Sequence, residues 1–233
     1  MITQIKIVTI IFCIICISSY AATAADLGQE TPSDIAVRLQ HRYDTIQSIS
    51  FTFSQETKGD MTGPPKKGKG KAFFYRGKNK RYMRWDYISP DVQVLASDGE
   101  VFSMYFAKLK QMIVTPAKNL DNEITYSFFM GNGNIFNDFD ILPADNDLLN
   151  IKQQSMKTIK LVPKTGQSQV QDIQLSVTPQ SLIKKIMIRD HFGTITILNF
   201  SNIKLNNLQQ MTENKISSLF RFHPPEGTEI VHQ

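Results

Sequence analysis

Residues 81–115 read RYMRWDYISPDVQVLASDGEVFSMYFAKLKQMIVT, and their patterning decides the fold. Four strand-like runs fit into this stretch: Arg81–Tyr87, Val92–Ser97, Glu100–Phe106 and Gln111–Thr115. Asp98-Gly99, between the second and third, is the strongest local hairpin signal in the chain, because such a pair accepts the positive φ angles of a tight turn. Short strands joined by short polar turns argue an antiparallel meander rather than a βαβ fold. Val101 and Tyr105 alternate with Phe102, Met104 and Phe106, so this strand is apolar on both faces. Such a sheet must be covered twice or must enclose a cavity.

On the N-terminal side the period stays at two. Ile49, Phe51 and Phe53 alternate with Ser50, Thr52 and Ser54, and Lys71–Tyr75 follows as another strand. Before them the spacing becomes helical: Ile35, Leu39, Tyr43 and Ile46 form one apolar stripe. Thr31 is its expected N-cap, with Pro32 at the first helical position and Asp34 completing a capping box.

On the C-terminal side, residues 125–142 carry Tyr126, Phe128, Phe129, Met130, Ile135, Phe136, Phe139, Ile141 and Leu142, interrupted by Gly131-Asn132-Gly133. Two short helices, or a helix and a loop, are expected there. So much apolar surface must lie against something. Strands resume at Thr158–Val162, Gln171–Val177, Leu182–Arg189 and Thr194–Phe200, with His191-Phe192-Gly193 as a turn. Phe220-Arg221-Phe222 reads as a last short strand. The sum is mainly β with helices (α+β): about ten or eleven strands in one curved sheet, with helical pieces filling its concave side.

The N-terminus sets the expected compartment. Lys6 precedes an almost unbroken apolar run from Ile7 to Ile17, and Ala22-Thr23-Ala24 offers a small-x-small cleavage site. That is the layout of a secretory signal peptide over residues 1–25, and the run is short for a membrane span. Cys13 and Cys16 are the only cysteines, so the mature domain, 26–233, is expected to have neither disulfide nor thiol nucleophile. A soluble, exported, single-domain protein is expected. The formal charge of +5 is too modest to imply nucleic acid as a partner.

Enzymatic motifs are missing: the sequence has no G-x-S-x-G, H-E-x-x-H, Walker loop or dinucleotide fingerprint. His41, His191, His223 and His232 share no metal-ligand spacing, so no cofactor or metal is expected. The sharpest polar feature is a basic run: Lys66, Lys67, Lys69, Lys71, Arg76, Lys78, Lys80, Arg81 and Arg84, with no acidic residue between the first and the last. It reads either as a surface for anionic headgroups or an acidic partner, or as a solvated hairpin whose lysines protect a strand edge.

Arg84-Trp85-Asp86-Tyr87, Pro90, Gln93, Ser97-Asp98-Gly99, Tyr105 and Gln111 together resemble the signature stretch of the periplasmic outer-membrane lipoprotein carriers, the LolA-type family. Ser50-Phe51-Thr52-Phe53-Ser54-Gln55 is similar to that family's first strand, and Phe220 through Gly227 to its close. The resemblance implies an open antiparallel half-barrel with a concave apolar face lidded by short helices. It implies a non-enzymatic chaperone that takes acylated lipoproteins from an inner-membrane ABC-type release complex to an outer-membrane receptor of similar fold. A soluble periplasmic monomer is expected; a free-lipid-binding or lipoprotein-sensing protein of the same fold is the alternative. Candidate cavity or lid residues are Met83, Trp85, Tyr87, Phe102, Met104, Tyr126, Phe128, Phe129 and Phe136. The family's cargo-handling arginine stands nearest to Arg76, where Gly77 replaces its usual proline, and Arg84 is the rival.

Overall fold

A computed structural model describes residues 30–59, 63–122, 129, 133–145, 155–164 and 169–233. The expected signal segment, Tyr126 and Phe128 lie outside these. Helix α1, Pro32–Thr45, starts as its cap chemistry dictates: the Thr31 hydroxyl accepts from the Asp34 N–H, and the Asp34 carboxylate accepts from the Thr31 N–H. Its stripe of Ile35, Leu39 and Tyr43, continued by Ile46, is buried to 3% exposure or less. Each such side chain stabilises the fold by about 1.5–3 kcal/mol relative to exposure.

Twelve strands follow in a single sheet. The first meander is β1 (Ser48–Lys58), β2 (Lys66–Arg76), β3 (Arg81–Ser89), β4 (Gln93–Ser97), β5 (Val101–Phe106) and β6 (Gln111–Pro116). The second is β7 (Phe139–Pro143), β8 (Lys157–Pro163), β9 (Val170–Val177), β10 (Ile183–Asp190) and β11 (Ile195–Leu205). β1 pairs with β11, joining the two meanders, and β12 (Glu229–His232) completes the order β12-β6-β5-β4-β3-β2-β1-β11-β10-β9-β8-β7. β7 and β12 are the two edges, so the sheet is open.

Strand parity sorts the side chains. Phe51, Phe53, Ala72, Phe74, Met83, Trp85 and Phe102 join the main core with Leu175, Ile186 and Phe200 and the buried face of α1. The opposite, convex face has its own cover. Helix α3, Glu213–Phe220, packs Ile216 and Phe220 with Leu208 against Phe73, Tyr75 and Tyr82. (α2 is the single turn Ile135–Asp138, capped by Asn134.) Beyond α3, Phe222 lies on Val94, Ala96, Tyr105 and Met112. The doubly apolar β5 is thus covered twice: Phe102 and Met104 inside, Tyr105 outside.

Four expectations are corrected. Phe139 to Leu142 forms the edge strand β7, because its alternation pairs with β8 once α2 has ended. Phe220-Arg221-Phe222 is no strand: Phe220 closes α3, whose Ile216/Phe220 spacing of four is helical, while Arg221 and Phe222 are extended without pairing. The last strand is β12, and it runs parallel to β6, the one exception to an antiparallel sheet. Helix α3 covers the convex face rather than the concave one.

One glycine is required by close approach. At Gly70, where the β2–β3 register shifts, a Cβ would stand 1.8 Å from the Asp86 carbonyl oxygen. No side chain fits there without moving backbone.

Candidate functional site

The concave face carries a connected aromatic cluster with Phe51 at its centre. Its ring centroid lies 4.5 Å from Phe200, 5.7 Å from Trp85 and 6.1 Å from Phe74. Phe53 extends the cluster along β1, 4.6 Å from Trp85 and 4.9 Å from Tyr87. Phe129 enters from above. Its ring stacks on Phe74 at 4.9 Å, meets Phe51 at 5.2 Å and Phe200 at 5.7 Å, and reaches Tyr43 of α1 at 5.9 Å. It is 2% exposed, a large apolar side chain wedged between helix and sheet.

Of the sequence-predicted cavity residues, those that are described pack on this side of the sheet, while Tyr126 and Phe128 lie outside the described residues. Met83, Trp85 and Phe102 are buried within the cluster, and Tyr87, Met104 and Phe136 are partly buried against it. Phe51, Phe53, Phe74 and Phe200 were not singled out as site residues, although they hold its centre. For Phe51 and Phe53 the alternation of β1 was the available signal. For Phe74 beside Phe73, only the register with β3 tells which side chain points inward.

Helix α1 is fastened at both ends. At its start Glu30 accepts from Arg38 Nε at 2.6 Å and pairs with Lys157 at 3.1 Å, and Arg38, in the middle of the helix, also donates from Nη1 to the Thr178 carbonyl at 2.9 Å. At its end Arg76 donates from Nη2 to the Tyr43 carbonyl at 2.7 Å and from Nη1 to the Asp44 carbonyl at 3.2 Å. Both carbonyls lie in the last turn, where the Tyr43 carbonyl also accepts from the Ile46 N–H at 3.3 Å, and a cation beside them complements the helix dipole. Burial holds the Arg76 guanidinium below its ordinary pKa, with Asp44 acting in the other direction. Between the ends, the Ile183 N–H donates to the Tyr43 hydroxyl at 3.2 Å, and burial raises that hydroxyl's pKa.

The two arginines named from the sequence separate cleanly. Arg76 reaches the last turn of α1. Arg84 is on the convex face, where it donates from Nε to Asp86 at 2.8 Å and from Nη1 to the Leu219 carbonyl at 2.9 Å, and lies over the Phe222 ring at 5.8 Å. It fastens the C-terminal segment and does not touch the lid side. The other cations of the basic run, Lys66, Lys67, Lys69, Lys71, Lys78, Lys80 and Arg81, are exposed.

Tyr87 closes the apolar floor with a polar contact. Its hydroxyl donates to Gln55 Oε1 at 2.8 Å, and burial pushes its pKa up to about 12. The buried Trp85 indole N–H lies beside the Tyr87 hydroxyl and works against that rise. Among the described residues no cluster of His, Cys, Asp or Glu could hold a metal, and no helix is long and apolar enough to cross a membrane.

Comparison with known proteins gives a consistent answer. The family model described as outer membrane lipoprotein carrier protein LolA matches residues 44–216. An outer-membrane lipoprotein carrier protein of Yersinia pestis bv. Antiqua (strain Angola) is 25% identical over 201 residues, covering 86% of this chain and 90% of that one. Its counterpart from Nitrosospira multiformis is 25% identical over 151 residues, or 65% of this chain and 67% of that one. Among solved structures, an uncharacterized conserved protein of Thermus thermophilus shares the fold, with a TM-score of 0.51, 11% identity, and coverage of 86% of this chain and 98% of that one.

Proposed function

We propose a carrier function for this chain, which belongs to the LolA family of outer membrane lipoprotein carrier proteins. The family is one of carriers, not of enzymes. In this reading the concave aromatic face takes the acyl chains of lipoproteins, and the protein moves them through the periplasm from the inner to the outer membrane. The donor would be an ABC-type release complex and the acceptor an outer-membrane receptor of similar fold. Residues 1–25 would be removed on export, leaving one carrier domain over 26–233.

The observation that carries the reading is the position of Phe129. It occupies the apolar space between α1 and the sheet, as a side chain that substitutes for cargo in the empty carrier would. Because α1 is tied down at both ends, the Phe129 side chain is the part assigned to move, with α1 as a wall beside it. Arg76 acts as the latch at the end of that wall.

The energetics require such a device. Three acyl chains of about fifteen methylenes each, at ~0.8 kcal/mol per CH₂, would gain about 36 kcal/mol on full burial. That exceeds the ceiling of noncovalent affinity, and cargo would never leave. Displacing Phe129 from its aromatic neighbours Tyr43, Phe51, Phe74 and Phe200 offsets part of this gain. At about 3–5 kcal/mol for one buried phenylalanine this offset alone does not bring the total below the ceiling, so the chains must also be shielded incompletely.

Native mass spectrometry of the purified protein with a triacylated cysteinyl lipopeptide tests the reading. A one-to-one complex is expected for the acylated peptide and none for its deacylated form. Equal retention of both, or of neither, would refute it.

A further inference from the structure

An antiparallel meander turns alternately at its two rims, and one rim of this sheet gathers exposed apolar side chains. The registers bring four turns to it: β1–β2, β3–β4, β5–β6 and β10–β11. Ile88 and Val92 flank the second of these, Leu109 stands in the third, and Phe192 in the fourth. They are four of the eight large apolar side chains exposed among the described residues, each half exposed or more, with Phe192 at 74%. Helix α1 is fastened at the opposite rim, to Thr178 in the β9–β10 turn and to Arg76 at the end of β2, and leaves these tips uncovered.

Hydrogen bonds hold these tips in place. The Asp190 carboxylate accepts from the Phe192 and Thr194 N–H groups at 2.8 Å each, and Gly193 closes the turn at φ +79. The Ala107 N–H donates to the Val92 carbonyl at 3.1 Å, which sets the Leu109 turn beside the Ile88–Val92 turn. Successive turns of one rim are two strands apart, or about 10 Å along the sheet. Exposed lysines fill the spaces. Lys58 and Lys66 bound the β1–β2 turn, Lys67 and Lys69 follow on β2, with Lys69 opposite Ser89 at the end of β3, and Lys108 and Lys110 flank Leu109. Around these turns the six ammonium groups outnumber four carboxylates, Glu56, Asp91, Asp190 and Glu229. Glu56 has a 4.0 Å contact with Lys67. Apolar side chains on separate tips, with solvated ammonium groups between them, do not make the continuous apolar core of a protein interface. They fit a bilayer surface, where each tip enters the headgroup layer by itself and lysines meet anionic heads.

We propose that this rim docks the protein on the surface of an anionic bilayer, with Ile88, Val92, Leu109 and Phe192 entering the headgroup layer and the lysines between them against lipid phosphates. The contact is peripheral and reversible, since only a few side chains enter. The aromatic floor reaches the same rim: Tyr87, whose ring lies 4.9 Å from Phe53, immediately precedes Ile88. Docking therefore sets the end of that floor beside the lipid. The inference goes beyond the carrier reading and does not depend on it, and it gives the first cations of the basic run a role that a solvated hairpin does not.

Flotation with lipid vesicles tests the docking rim, using the protein purified after export. Vesicles of phosphatidylethanolamine with phosphatidylglycerol should carry the wild type upward, and phosphatidylcholine vesicles should carry about tenfold less. The I88S/L109S/F192S variant should lose about tenfold in binding to the anionic vesicles. The K66Q/K67Q/K69Q variant should lose the preference for anionic over neutral vesicles. All six positions are exposed, so both variants should unfold at the wild-type temperature. Wild-type protein that stays in the aqueous fraction with both vesicles would overturn the proposal and leave the tips to a protein partner. A serine variant that floats as the wild type does would overturn it as well. Neither result touches the carrier reading, which the lipopeptide complex tests separately.

Discussion

Arg76, at the end of β2, holds the last turn of α1 by donating to the Tyr43 carbonyl at 2.7 Å. Tyr43 in turn touches Phe129, 5.9 Å away between ring centroids. One guanidinium is therefore linked through one residue to the side chain that fills the concave face.

Arg76→Ala removes two charge-assisted bonds to the last-turn carbonyls of α1. The expected cost is about 1–3 kcal/mol in urea-monitored unfolding. Uptake of a fluorescent fatty acyl probe should change in rate as well, because the wall beside Phe129 is loosened. Arg84→Ala is the control. It should lower stability by a similar amount through loss of the Leu219 and Phe222 contacts, with probe uptake unaltered. An uptake defect in Arg84→Ala equal to that in Arg76→Ala would contradict the division of roles.

Phe129→Ala separates packing from gating. Loss of a buried phenylalanine ordinarily costs about 3–5 kcal/mol. If Phe129 competes with cargo, the same change should tighten acyl-probe binding and speed its uptake. Weaker binding in a folded variant would show that Phe129 is only core.

Gly70→Ala tests the close approach of β2 to β3. With the added carbon 1.8 Å from the Asp86 carbonyl oxygen, a loss of at least about 2 kcal/mol is expected, or ~4–8 °C in thermal unfolding. Gly193→Ala meets open space at φ +79 and should cost about 1 kcal/mol through backbone strain alone.

Asp98 gives the fold a pH dependence. Burial by itself would raise its carboxyl, but the Val101 and Glu100 N–H groups and Arg221 outweigh that and hold it below its ordinary value. The contribution is complete above the ordinary carboxylate range and is lost as pH falls through the depressed value. Asp98→Asn should therefore destabilise by about 1 kcal/mol at neutral pH. The gap from wild type should close as the pH is lowered below about 4 in denaturant titrations. A gap that persists at acid pH would refute the electrostatic origin.

What was legible in the sequence was what local chemistry decides. Thr31, Pro32 and Asp34 fix the start of α1, Asp98-Gly99 fixes a hairpin, and alternation marks most strands. The misread elements are those whose state depends on partners distant in sequence. Phe139–Pro143 is a strand because β8 offers it an edge, and Glu229–His232 because β6 does. The short α3 hid behind Phe220-Arg221-Phe222, which alternates like a strand, and is held by Phe73, Tyr75 and Tyr82. The site shows the same limit. Trp85 and Met83 could be named from an alternating strand, but the inward aim of Phe74 and the outward aim of Arg84 depend on register and on which face each meander presents.

The central claim, that the chain carries acylated proteins, is tested most directly by release from a membrane. Spheroplasts accumulating a labelled lipoprotein on the inner membrane, with a competent donor transporter, would be incubated with the purified protein, and the soluble fraction resolved by size. The account predicts a soluble one-to-one complex of lipoprotein and carrier that forms with the wild type and is altered in Arg76→Ala. Lipoprotein that stays on the spheroplasts at every carrier concentration would contradict it.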